Sequence, residues 1–370
     1  MSKREVLDAI AAGVPTSGPR TVHVDVTNAC NAACITCWDH SPLLTEPRPP
    51  AWKKRRIELA TFVRLVEDLA AMGSVRAVIL SGMGDPLVHP DIYEMIALVK
   101  ARGWHLTVMT NLIAADIARL VANVPDQVLV GVHGATPRAY SAFHPGWDER
   151  EFNVLCAHLR ALAKTPARVR HVQVINRDTA PELVDMIGFG ARFRADRVNF
   201  KLASLYGGTE SCRIDDAQRR WLADDAIPRA RARSAELGVA TNLDLFAQQL
   251  AAGVEDDNAI VPIAEVGCFQ GYVYTRITAS LDVLYCCNTE VRVGSLDDGP
   301  VSQLWRGPAW EALRAQLRRG EYPLGCERCG KFEQNVEWSR RVRDELGEAV
   351  WREVTGADRA RVPARLPVIA

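Results

Sequence analysis

Between residues 21 and 204, short β-rich runs alternate with amphipathic helical runs, and that alternation leaves few folds open. Strand-like runs fall at 22–26, 77–80, 105–109, 127–132, 169–174 and 198–202. Helical periodicity fills the intervals at 57–72, 92–102, 114–122, 151–162 and 181–193. A helix between two strands returns the chain in the same direction, so the strands pair in parallel. Six such units fall short of the eight that close a barrel. The expected fold is α/β, a partial (β/α)6 barrel or open curved sheet, over residues 21–240.

The style changes near residue 262. Residues 272–278 and 282–285 alternate like strands around Ala279-Ser280, which predicts a hairpin, and a short helical run follows at 310–319. Residues 215–237 read as one more helix. The expected organisation is an N-terminal segment (1–20), the partial barrel (21–240), a linker (241–261), a small hairpin-plus-helix domain (262–335) and a C-terminal helix and tail (336–370).

Charge and hydropathy remove several functions. Lys and Arg number 45 and so do Asp and Glu, so there is no basic excess to suggest a nucleic-acid partner. No apolar stretch is long enough for a membrane span. The start, Met1-Ser2-Lys3-Arg4, has no apolar core behind it, unlike a signal peptide. The expected location is therefore cytoplasmic, where ten cysteines point to metal or redox chemistry before disulfides.

Cys30, Cys34 and Cys37 lie just after the first strand. Chance supplies roughly 0.007 such C-x3-C-x2-C patterns in a chain of this cysteine content. Three thiolates would leave one iron of a four-iron cluster without a protein ligand, and an open position is the mark of a catalytic centre. Zinc held by the same thiolates and His40 or another His is the alternative on spacing alone.

The placement of this motif resembles that of the radical S-adenosylmethionine (SAM) superfamily. The resemblance implies a [4Fe–4S] cluster on Cys30, Cys34 and Cys37 whose open iron chelates SAM and generates a 5′-deoxyadenosyl radical. Ser81-Gly82-Met83-Gly84-Asp85-Pro86 follows the second strand, where relatives carry a Gly-Gly-Glu-Pro segment against the SAM amino group. Gly82, Gly84, Asp85 and Pro86 are the implied cofactor contacts, with Asp in place of the usual Glu. Glycines suit close backbone approach to a ligand. Thr110-Asn111 ends the third strand as in relatives, which adds Asn111. Asn176 closes the fifth strand as either a SAM contact or an ordinary turn residue. Val132-His133-Gly134-Ala135-Thr136-Pro137 is similar to a segment of the branch that includes SPASM and twitch enzymes. His133 there is either a SAM or substrate contact or a structural residue.

Cys268, Cys286 and Cys287 flank the predicted hairpin, and Cys326 and Cys329 follow it. Hairpin pairing brings Cys268 near Cys286, so that Cys326 and Cys329 would complete a four-thiolate site for zinc or iron–sulfur. Residues 267–329 resemble the twitch or SPASM module. The resemblance implies one auxiliary [4Fe–4S] cluster on Cys268, Cys286, Cys326 and Cys329, because no cysteine follows Cys329. Cys287 is then a substitute ligand or a thiol that gives hydrogen to a substrate radical. Cys156 and Cys212 remain unassigned; a free cysteine commonly acts as a small buried hydrophobe.

The cofactor carries such chemistry while the protein orients and shields it. By resemblance, the expected function is a dehydrogenase that abstracts hydrogen from a hydroxyl- or amine-bearing carbon of a small polyol, sugar or aminocyclitol. The alternatives are an epimerase using Cys287, a peptide-modifying maturase, and a non-catalytic iron–sulfur or zinc scaffold. Asn199, Lys201 and Tyr206 are candidate polar groups at the barrel mouth. The implied partners are a small-molecule substrate, with a peptide possible, and an electron donor such as a flavodoxin or ferredoxin.

Overall fold

The computed structural model describes residues 3–252 and 261–357. All six expected parallel strands form: β1 Thr21–Asp25, β2 Ala77–Ser81, β3 His105–Thr110, β4 Gln127–Gly131, β5 Arg168–Ile175 and β6 Arg197–Leu202. Four more follow: β7 Ala240–Thr241, β8 Tyr274–Ile277, β9 Asp282–Leu284 and β10 Arg292–Ser295. The chain divides into two compact units. One draws on residues 3–24, 57–78 and 261–357, the other on 25–56 and 79–252.

The second unit is an open α/β layer. Strands β3 to β7 pair in parallel in chain order, with Thr107 opposite Gln127, Leu129 opposite Arg170 and Val172 opposite Asn199. Along β6 the residues alternate between half-buried Arg197, Asn199 and Lys201 and buried Val198, Phe200 and Leu202. The buried set packs on Leu183, Met186 and Ile187 of the helix Leu183–Arg192. Burying one face of a strand in this way fixes its register, since a slip by one residue would expose the apolar set.

Residues 241–261, expected as a linker, are only partly so. The helix Leu243–Ala251 occupies most of the described portion, and its Leu243, Phe246 and Leu250 enter the core of the second unit. Their spacing of three and four residues is helical. The expected helix at 215–237 runs as Asp216–Trp221, a π-turn at Leu222–Ala226 and Ile227–Leu237, started by an Asp215/Gln218 capping box.

In the first unit, β10, β9, β8 and β1 lie side by side. Strand β8 is antiparallel to β9, forming the predicted hairpin, and parallel to β1. The N-terminal segment is integral to this unit. The helix Lys3–Ala12 buries Val6, Leu7 and Ile10 with Phe269, Tyr274, Trp351 and Val354. The helix Leu59–Ala71 joins it as well, through Asp68, which accepts from the Ser302 amide at 3.1 Å and from its hydroxyl. Two helices, Phe332–Leu346 and Glu348–Thr355, follow, the first beginning inside the expected 262–335 domain; residues 358–370 of the expected tail lie outside the described residues. Among the described residues no helix is long and apolar enough to cross a membrane.

Candidate metal centres

The cysteine loop begins where β1 ends. Val26 donates to the Ser81 carbonyl at 2.9 Å, and the Thr27 hydroxyl then accepts from the Ala29 amide at 3.0 Å to turn the chain. Cys30 Sγ accepts the Ala32 amide at 3.4 Å, and Cys37 Sγ accepts those of Asp39 and His40 at 3.5 and 3.3 Å. Such N–H···S contacts favour the thiolate form that a metal requires. Burial, then the Asp85 carboxylate, pushes the Cys30 thiol up to about 12. Burial followed by repulsion from Cys37 raises Cys34 well above the thiol range, and burial raises Cys37. Three thiols packed like this ionise together only against a bound cation, and a cationic iron–sulfur core is such a partner. Ring Nε2 of His40 is buried without a partner, and the ring leans on Trp52 at 6.1 Å. Among the described residues, no three His, Cys, Asp or Glu side chains converge as ligands of a single ion would.

The glycine-rich turn after β2 packs on this loop. A β-carbon on Gly82 would lie 2.3 Å from the Thr27 carbonyl oxygen. Gly84 and Asp85 donate to the Thr27 and Ala29 carbonyls at 3.3 and 2.9 Å. The turn thus makes a close backbone approach to the cysteine loop. Asp85 is buried, and its carboxylate accepts from the Leu87 amide (2.9 Å), the Thr110 hydroxyl (2.9 Å) and the Asn111 amide (2.6 Å). Burial raises its pKa while these donors oppose the rise. Pro86, lacking an N–H, starts the 3-10 turn Pro86–Val88. Asn111 Nδ2 donates to Asn31 Oδ1 at 2.9 Å, tying the end of β3 to the cysteine loop.

Asn176 and His133 each accept backbone amides close by. Asn176 Oδ1 accepts the amides of Asp178 and Thr179, both at 2.9 Å, and makes the turn itself; its Nδ2 is buried with no partner and remains a free donor. His133 adopts φ +54°, accepts the Val174 amide at Nδ1 (3.2 Å) and lies 4.3 Å from the Phe143 ring. Burial, then His144, holds its pKa well below the imidazole range. Two residues in this region carry no sequence signal. Glu182 accepts the Ala135 and Thr136 amides at 2.7 and 3.1 Å, and Gln173 Oε1 accepts the Gly134 amide at 3.1 Å. Together they pin the loop after β4. Both lie about forty residues or more from the groups they hold, so local pattern cannot reveal them. Cys156 and Cys212 are buried, and Cys212 packs with Ile35 and Phe143. Tyr206 meets Trp38 edge-on at 5.2 Å.

The second cysteine set lies in the first unit. Asn335 is its central brace: Oδ1 accepts the Phe269 amide at 2.9 Å and Gln270 Nε2 at 3.0 Å, while Nδ2 donates to Cys329 Sγ at 3.6 Å. It thereby joins the segment carrying Cys268 to the one carrying Cys329. Asn288 does the same for the hairpin end, donating its amide to Cys286 Sγ (3.4 Å) and Nδ2 to the Leu324 carbonyl (2.9 Å) near Cys326. Burial, then repulsion from Cys329 and Cys326, raises Cys268 well above the thiol range. Burial followed by Cys329 pushes Cys326 up to about 12, and burial lifts Cys329 to about 11. Cys287 moves the other way, through a hydrogen bond with Cys286 and, against the opposing effect of burial, the nearby charges of Lys331 and Arg276. Five thiols therefore share one neighbourhood, and four suffice for a cluster.

Residues 24–172 match the Radical SAM superfamily, and residues 268–330 match SPASM, an iron–sulfur cluster-binding domain. A PqqA peptide cyclase of Xanthomonas axonopodis pv. citri (strain 306) is 22% identical over 334 residues, 86% of this chain and 82% of that one. A tungsten-containing aldehyde ferredoxin oxidoreductase cofactor-modifying protein of Pyrococcus furiosus is 24% identical over 92 residues. That match covers only 24% of this chain and 23% of the other. Streptococcus suis SuiB, in its crystal structure bound to precursor peptide SuiA, superposes with a TM-score of 0.61 at 15% identity, covering 89% of this chain and 74% of that one.

Proposed function

Since this chain belongs to the radical SAM superfamily, with a SPASM iron–sulfur domain and with SAM and [4Fe–4S] clusters as its cofactors, we propose that it modifies a peptide. The observation that carries the reading is the peptide cyclase alignment, which runs through both domains and most of each chain. The small-polyol dehydrogenase expected from the sequence has no such support and gives way to the maturase alternative.

In this reading Cys30, Cys34 and Cys37 hold the radical cluster. Bound there, cluster and SAM supply a radical able to take hydrogen from an unactivated carbon. The chain's own residues build and hold the setting. Asp85 locks the glycine turn to the end of β3 through Thr110 and Asn111. Asn31 and Asn111 clasp each other beside the first cysteine. The unpartnered Asn176 Nδ2 offers a hydrogen bond at the end of β5. Cys268, Cys286, Cys326 and Cys329 hold the auxiliary cluster, and Cys287 stays engaged with Cys286.

The test is anaerobic turnover of the reconstituted protein with SAM and reductant. One series contains short precursor-like peptides, the other sugars and aminocyclitols. The expected result is 5′-deoxyadenosine formation above background with a peptide, and a peptide product of altered mass. Acceleration by small polyols alone would overturn the reading.

A further inference from the structure

The second cysteine set has a positively charged edge. Lys331, two residues after Cys329, is half-buried and places its ammonium nitrogen 4.2 Å from the centre of the Tyr274 ring. Arg276 lies on the same strand as Tyr274, and one of its terminal nitrogens donates to the Cys287 carbonyl at 3.2 Å. Among the described residues, no carboxylate pairs with Lys331; the charged groups that act on it are Cys287, Arg276, Cys286 and Cys329. Glu327, whose carboxylate acts on Cys326, is exposed and pairs with Arg328 at 3.9 Å.

An ammonium at this place is costly without an anion beside it. A half-buried charge loses hydration, and burial is the largest influence on Lys331, lowering its pKa while the Cys287 thiol opposes the fall. The face of Tyr274 attracts a cation but carries no net charge to neutralise it. Lys331 also occupies the cap position of the 15-residue helix Phe332–Leu346, where its side chain makes no capping bond. Free amides make that end of a helix positive, so an acceptor is favoured there, and lysine offers none. The Lys331 amide in turn hydrogen-bonds the Cys329 thiol. Amide, ammonium and helix end thus gather positive charge beside one group of sulfurs.

We propose that Lys331 is the counter-ion of the auxiliary cluster and raises its reduction potential. The proposal rests on a SPASM cluster held by Cys268, Cys286, Cys326 and Cys329, and not on the class of substrate. Four thiolates make the cluster an anion, and one added electron, taking [4Fe–4S]2+ to [4Fe–4S]+, makes it more negative by one charge. A fixed cation nearby stabilises the more negative state. No bond or proton moves in that step, and in the test the electron comes from dithionite through mediator dyes. Arg276, held on the Cys287 carbonyl, adds to the same field.

The test is an EPR-monitored redox titration of the full, reconstituted protein, with SAM added so that the radical cluster's signal changes and the auxiliary one is recognised. Lys331→Met is expected to keep its auxiliary irons and to lower the auxiliary midpoint by about 59 mV, a tenfold loss in the equilibrium constant for adding one electron. Lys331→Arg, which keeps the charge, should return most of that shift. The shift should also persist when Cys287→Ala is added, because the counter-charge is the cluster and not a lone thiolate. If Lys331→Met does not hold iron, Lys331→Gln is titrated in its place. Loss of iron from the Met, Gln and Arg variants alike would assign Lys331 to packing and overturn the proposal. An unchanged midpoint in Lys331→Met, equal shifts in the Met and Arg variants, or a shift that vanishes with Cys287→Ala would overturn it too. Zinc at this site would end both the auxiliary cluster and the proposal, whereas failure of peptide turnover leaves the expected shift intact.

Discussion

Gly84 lies so close to Ala29 that a β-carbon on Gly84 would sit 1.8 Å from the Ala29 carbonyl oxygen. The contact is backbone to backbone, so no rotamer change can relieve it. Gly84→Ala is expected to push the cysteine loop aside, at a cost of at least about 1–3 kcal/mol. Iron analysis should show the radical cluster lost and the auxiliary one kept, a fall from about eight irons to about four. Full iron content in the variant would mean that the loop accommodates the methyl group.

Replacing Cys30, Cys34 and Cys37 together with Ala is expected to abolish SAM cleavage while the auxiliary cluster's absorbance remains. Retained cleavage would contradict their role. In the parent protein, about eight irons are expected as two four-iron clusters. Mössbauer and metal analysis giving about four irons and one zinc would make the SPASM centre structural.

Asn335→Leu removes the brace between the Cys268 and Cys329 segments and leaves the Phe269 amide without its acceptor. A buried donor left unpaired costs about 1–3 kcal/mol. The expected outcome is selective loss of the auxiliary cluster, seen by EPR of the reduced protein, with SAM cleavage preserved. Equal loss of both clusters would show that Asn335 supports the whole fold instead.

His171 is fully buried on β5, both ring nitrogens lack partners, and burial lowers its pKa from 6.5 to about 4. The unfolded chain therefore binds a proton between pH 6.5 and about 4 that the folded chain refuses. Its contribution to stability is present above pH 6.5 and lost as pH falls toward 4, on the order of 3 kcal/mol in all. His171→Leu should flatten the fall in urea midpoint between pH 7 and pH 5 and leave stability at pH 7 equal or higher. An unchanged pH slope would assign the effect to other histidines, such as His144, which burial also holds at about 4.

By itself, the sequence determined the order and direction of the parallel strands, the hairpin after residue 270, and the cysteines that form the two sets. Alternation, helical spacing and cysteine intervals are local properties, and these features depend on nothing else. Only the tertiary structure decided what the residues between those landmarks do. The sequence marks Asp85 by its place in a motif, but not that its carboxylate accepts from Thr110 and Asn111, some twenty-five residues away. Nor does it mark that Gly84 packs on Ala29. His133 and Asn176 shape turns, Glu182 fixes a loop 47 residues away, and residues 3–12 belong to a core built largely after residue 268. Each of these contacts joins distant segments, and a hydrogen bond or steric limit set by a distant partner leaves no periodicity in the sequence near either residue.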